Sequence, residues 1–170
     1  MARYMEQWES YRDATVVGIR DTEKGWSIPL ANGNRHYRMY LDWVAEGNVA
    51  DPAYTFAERQ AMAIAGLGGI LATKLQADIS YDGDTIKADK EAKADLTFRA
   101  YADGKAKDIK IKKLDGKLKL IDKNAIDTVL QLISARDEAA IDAYDIAIAA
   151  IEAAVDWAGV ETAIAAFEAV

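Results

Sequence analysis

Apolar positions recur along this chain with two different spacings, and the change of spacing divides it. Over residues 1–52, short β-branched and aromatic stretches are separated by turn signals and interrupted by one brief helical stripe. From residue 53 onward helical spacing dominates, broken by two alternating segments around Asp-Gly pairs. The pattern predicts an α+β fold: an N-terminal β/loop segment with a short aromatic helix, then a helix-rich domain with small β-hairpins and a long C-terminal helix. The expected boundaries are 1–52 and 53–170. Asp51-Pro52 serves as the connector, because the residue before a proline is held extended.

In the first segment, Thr15–Arg20 reads as a strand and Thr22–Gly25 as a turn. Trp26–Leu30 reads as an extended piece at a sheet edge, since Pro29 has no N–H to donate. Ala31-Asn-Gly-Asn34 turns the chain, and Asn34 caps a helix over about 35–45. On that helix Tyr37, Tyr40, Leu41 and Val44 fall on one face, with Trp43 at its edge. Gly47 stops it.

Thr55 and Glu58 form a capping box for a helix reaching about residue 78. Gly66, Gly68 and Gly69 weaken that helix by about 1 kcal/mol each. They are expected to allow a kink or the close approach of another backbone. Ile79–Asp89 reads as a hairpin turning at Asp82-Gly83, followed by a helix over about 89–101 that ends at Asp103-Gly104. Asp108–Asp122 alternates around Asp115-Gly116, with Ile109, Ile111, Leu118 and Leu120 expected on one face and lysines on the other. Asp122 starts the long helix, whose stripe opens with Ile126, Val129, Leu130 and Ile133. Ile141, Tyr144, Ile148, Ile151 and Val155 continue it at alternating 3 and 4 spacing, an oligomer-type seam. Only Ala139 and Ala140 bridge the gap after Ile133. A last helix from Val160 follows a break at Trp157–Gly159.

Composition narrows the function. The formal charge is −7, which argues against a nucleic-acid partner. No cysteine is present, so disulfides, thiolate zinc sites and cysteine nucleophiles are excluded. The single histidine, His36, has no serine or aspartate arrangement of a triad around it. Asp82-Gly-Asp84 lacks the remaining ligands of a calcium loop, and Gly66-Leu-Gly-Gly69 lacks the lysine of a phosphate loop. Carboxylate pairs arise by chance in a chain with 28 acidic residues. The apolar run 61–73 is too short to span a bilayer, and the polar first ten residues do not suggest a secretory leader. No catalytic, cofactor-binding or metal-binding residue is therefore expected, and no membrane partner. The lysines from Lys105 to Lys123 form a solvated hairpin face or meet an acidic partner surface, such as the acidic helices of another subunit.

One phrase carries a resemblance. Ile28-Pro29, Gly33-Asn34, then Tyr37, Tyr40, Trp43 and Ala45-Glu-Gly-Asn48, with Pro52 beyond, resembles a recurring phrase in tail proteins of tailed bacteriophages. The second half resembles a phage domain of unknown function often joined to it. Gly83, Ile86, Ala88 and Asp89 match one hairpin end, and Asp115-Gly116 and the helix from Asp122 match the rest. The tryptophan usual in that family's middle hairpin is missing. The likeness spans about 26–154.

The resemblance implies a structural tail component, at the baseplate or at a fibre attachment point, acting by protein–protein interaction. Trp26, Ile28, Tyr37, Tyr40 and Trp43 are the expected docking residues, and other tail proteins the partners. Homo-oligomers, as trimers or multiples, follow from tail symmetry. The protein would reside in the virion after synthesis in the bacterial host cytoplasm. A fibre-assembly chaperone is the alternative, and a tail-associated hydrolase a more distant one.

Overall fold

The computed structural model describes residues 2–101, 109–113 and 115–170, with backbone only for residues 99–101, 109, 110, 112, 118–121 and 123. Among the described residues the chain forms seven strands and five helices, an α+β fold, in two compact units, Met1–Ala63 and Ile64–Val170.

The first unit is built on a three-stranded antiparallel sheet. Its strands β1 (Tyr4–Trp8), β2 (Val16–Asp21) and β3 (Trp26–Pro29) stand in the order β1-β2-β3. Pro29 lies on an edge strand, as its missing N–H requires. β1 escapes the sequence pattern, because Tyr-Met-Glu-Gln-Trp does not alternate. Its outer edge is covered by a parallel bridge from Met5 to Asp51, where Glu6 N–H donates to the Asp51 carbonyl at 2.8 Å. The residue expected to open a linker is thus paired within the first unit.

Helix α1 (Arg35–Ala45) has the expected bounds. The Asn34 side chain accepts from the N–H groups of His36 and Tyr37, and Gly47 ends the helix at φ 90°. Tyr4, Ile19 and Ile28 are buried, and Tyr37, Tyr40 and Trp43 pack on them. The helix is rotated from the expected stripe. Trp43 faces the sheet, while Leu41 and Val44 are exposed, because the wide rings reach Tyr4 and keep the aliphatics outside.

Helix α2 (Phe56–Lys74) begins with the expected capping box. Glu58 N–H donates to the Thr55 hydroxyl, and Thr55 N–H donates to the Glu58 carboxylate. The division between the units falls within this helix. Its first turns are held in the N-terminal unit by Arg59, which donates to the Tyr11 carbonyl at 2.7 Å and lies over the Trp8 ring. The close approach of another backbone is not found at Gly68 or Gly69. The helix is continuous, and Gly68 and Gly69 face open space.

In the second unit, β4 (Ile79–Tyr81) and β5 (Asp84–Ile86) form a hairpin. Asp82 and Gly83 both have positive φ, the mirror-image turn that suits strand twist. Asp89 caps α3 (Lys90–Tyr101) by accepting from Ala92 N–H. The expected stop at Asp103-Gly104 lies outside the described residues.

β6 (Ile109–Lys112) and β7 (Leu118–Ile121) pair in a register one residue away from that of a two-residue Asp115-Gly116 turn. Ile109 meets Ile121 and Ile111 meets Lys119, so the expected apolar set is not the paired set. The cause is a longer loop, closed by Lys113 N–H donating to the Lys117 carbonyl, with Gly116 at φ 83°.

Helix α4 (Lys123–Ala153) starts at Asp122, which accepts from Ala125 N–H. Helix α5 (Trp157–Ala169) starts earlier than expected. Asp156 caps it through Gly159 N–H, so Trp157–Gly159 are its first turn and the break is at Ala154-Val155. Ile79, Ile86, Ala88, Leu96, Ile111, Ile126, Val129 and Ile133 form one core.

Arg136 ties the edges of that core together. Its guanidinium donates to the carbonyls of Leu75 (2.7 Å) and Ala88 (3.2 Å), and to that of Ala77. It also donates to the Asp137 carboxylate, whose other oxygen accepts from Lys93 at 2.7 Å. The Leu75 and Ala77 carbonyls follow the end of α2, where helical partners run out. Burial pushes the Asp137 carboxyl up, but the hydrogen bonds from Lys93 and Arg136 outweigh it and hold the group below its ordinary value.

Two outcomes follow. Arg136→Met leaves three carbonyls without their donor and the Asp137 carboxylate with Lys93 alone, and is expected to cost about 3 kcal/mol in chemical denaturation. Because Asp137 is depressed in the folded state, its stabilisation is complete above the unfolded value of about 3.9. It fades as pH falls through the lower folded value. The stability difference between the parent and Asp137→Asn should therefore be flat near neutrality and shrink below about pH 4.

Candidate interaction surfaces

Of the expected docking residues Ile28 is buried, and Tyr37, Tyr40 and Trp43 are half-buried against the core of their own unit. Tyr4 stands edge-on to Tyr40 (5.4 Å between ring centres) and to Trp43 (5.0 Å), and Tyr37 stacks with Tyr40 at 6.0 Å. Burial, then the charge of Glu6 and the neighbouring Tyr37, push the Tyr40 hydroxyl up. Ile28 is 2% exposed and offers no surface while the unit is folded. Trp26 is different. It is 46% exposed at the start of β3, with the His36 ring edge-on at 4.8 Å and the Lys24 ammonium over its face at 4.8 Å. His36 thus packs its ring against Trp26. Leu30 and Met39 add exposed apolar surface in the same unit.

The expected oligomer seam is divided in the same way. Ile151 is buried and Tyr144 and Ile148 are half-buried, whereas Ile141 is 45% and Val155 91% exposed. The buried line of α4 passes through Ile126, Ile133, Ala140 and Ala147, one heptad apart, and ends on Ile151. α5 packs on α4: its Val160, Ala163, Ile164 and Phe167 are buried, and the Phe167 ring meets Tyr144 at 5.9 Å. Small alanines let a helix lie close. Part of the seam is therefore used within the chain. Val155 lies in the break between helices, where helical spacing no longer applies.

Sequence reasoning missed Arg136, which sits in the gap between Ile133 and Ile141. Its only signal was a charged residue at a position where the stripe needed an apolar one. The side chains of the lysine-rich hairpin are mostly outside the described residues. Lys113 pairs with Asp84 at 2.7 Å, so this lysine ties the two hairpins together. Asp82-Gly-Asp84 is a turn plus an ion pair.

A hollow of about 380 Å³ is lined by Lys87, Asp89, Glu91, Ala92, Asp95, Leu96 and Ile111. Among the described residues, no group of three or more histidine, aspartate or glutamate side chains is placed to hold a metal ion. Among them too, no helix is long and apolar enough to cross a membrane. No protein-family model, curated protein or solved structure matches the chain.

The aromatic cluster separates folding from contact. Tyr40→Ala with Trp43→Ala should destabilise the first unit by at least about 3 kcal/mol, read from thermal unfolding. Trp26→Ala should cost under about 1 kcal/mol, because the ring is half exposed.

Proposed function

We propose that this protein is a structural component of a bacteriophage tail, at the baseplate or a fibre attachment point, that works by binding other proteins. One observation carries the reading. The residues that resemble the tail-protein phrase are those that build the first unit: Ile28 in its core, Asn34 as cap, Tyr37, Tyr40 and Trp43 on the sheet, Gly47 as stop. The phrase describes a small folded module rather than a flexible handle. Its more exposed group, Trp26 with His36 and Lys24, is the part suited to a partner. Aromatic residues with a cationic neighbour are favoured at such contacts.

The other tail proteins are the proposed partners, and the particle the proposed location. Mass spectrometry of purified virions should find the protein at a fixed stoichiometry with other tail proteins. Trp26→Ala should lower its occupancy while leaving the free protein folded. Presence in lysates but absence from finished particles would instead identify an assembly chaperone.

A further inference from the structure

The tight turn that feeds α1 holds the chain's one Asn-Gly pair. Asn34 N–H donates to the Ala31 carbonyl at 2.8 Å, so Asn32 and Gly33 are the corner residues, and both are exposed. Among the described residues neither the Asn32 side chain nor the Gly33 N–H makes a hydrogen bond. Beyond its chain neighbours, no described atom lies within 4 Å of the place where a Cβ would stand on Gly33. The amide carbon of Asn32 and the backbone nitrogen that attacks such a carbon are thus both uncommitted and uncrowded.

The other three asparagines are held. Asn34 caps α1, accepting from the N–H groups of His36 and Tyr37. Asn48 donates its side-chain amide to the Trp43 carbonyl at 2.8 Å and is followed by a β-branched valine. Asn124 lies in α4, where the next backbone nitrogen, that of Ala125, donates to the Asp122 carboxylate. Each lacks either a free side chain or a free attacking nitrogen.

We infer that Asn32-Gly33 is a self-modifying site, at which the folded chain converts Asn32 to aspartate and isoaspartate without an enzyme. The Gly33 nitrogen gives its proton to solvent and attacks Cγ of Asn32. The N–Cγ bond forms, the Cγ–Nδ2 bond breaks, and Nδ2 takes a proton back and leaves as ammonia. Water then opens the cyclic imide. Opening at Cγ gives aspartate, and opening at the main-chain carbonyl gives isoaspartate, whose backbone runs through the former side chain. Nothing is oxidised or reduced, and water is the sole co-reactant.

The two products act differently on α1. A carboxylate at position 32 precedes a helix whose first turn holds no acid, and favours it. Isoaspartate lengthens the main chain inside the turn closed by the Ala31–Asn34 hydrogen bond, and so displaces the Asn34 cap. The inference rests on this turn and not on the tail reading.

Incubating the full chain at mildly alkaline pH, then mapping peptides by mass spectrometry against an unincubated control, tests it. Within the tryptic peptide from Gly25 to Arg35, Asn32 should convert at least about tenfold faster than Asn34, because glycine has no Cβ to obstruct its nitrogen. The rate should rise with pH, since the deprotonated nitrogen attacks. Gly33→Ala, which the open space around Gly33 accommodates, should stay folded and suppress the conversion. Asn32→Asp should keep the parent's thermal midpoint, while the isoaspartate fraction melts lower. Asn32 that survives in the folded parent but converts in the excised peptide overturns the inference, because the turn then protects it. So does equal conversion of Asn32 and Asn34, or conversion that Gly33→Ala leaves unchanged. An isoaspartate fraction as stable as Asn32→Asp overturns the effect on α1. The parent time course needs no variant, so it decides the matter even where Gly33→Ala fails to fold.

Discussion

A guanidinium is a rigid fork of donors, and Arg136 uses that fork to satisfy backbone that no regular element can. The carbonyls of Leu75 and Ala77 lie past the end of α2, and that of Ala88 lies between a hairpin and α3. None of the three belongs to a strand ladder or a complete helical turn. A single side chain from α4 gathers them, and Asp137 with Lys93 fixes the fork from the other side. The small core of Ile79, Ile86, Leu96, Ile111, Ile126, Val129 and Ile133 is assembled from two short hairpins and two helices. Short hairpins are marginal alone, so their attachment to α4 matters more than their own pairing.

The N-terminal unit meets the same problem of small size with aromatic area. Three strands and an eleven-residue helix supply Tyr4, Ile19 and Ile28 as the buried hydrophobic core. The rings of Tyr37, Tyr40 and Trp43 cover them. An aromatic stripe on a surface helix thus serves the interior first, and of the expected docking residues Trp26 is the one largely exposed.

Local signals were legible where one residue type answers one backbone demand. Asn34, Thr55 with Glu58, Asp82-Gly83 and Asp122 all fall where their chemistry predicts, and α1 has the bounds read from its cap and stop. What was illegible depends on distant partners. β1 shows no alternation: Tyr4 is buried and Met5 to Trp8 are all half-buried. The β6–β7 register slips by one because the loop is longer than its Asp-Gly pair suggests. The alanines of α4 look like a gap, yet Ala140 and Ala147 are buried, and α5 packs on this helix. Arg136 breaks the apolar pattern for a reason found some sixty residues earlier in the chain. Of the candidate docking residues, the sequence located the cluster but not which ring faces outward.

Native-state hydrogen exchange tests the place of Arg136 most directly. If its fork joins these elements, the amides of β4, β5, α3 and the first half of α4 should open together with one free energy, as a single cooperative unit. Amides of the β4–β5 hairpin that exchange at a much lower free energy than those of α4 would show that the hairpin opens alone. They would contradict the account.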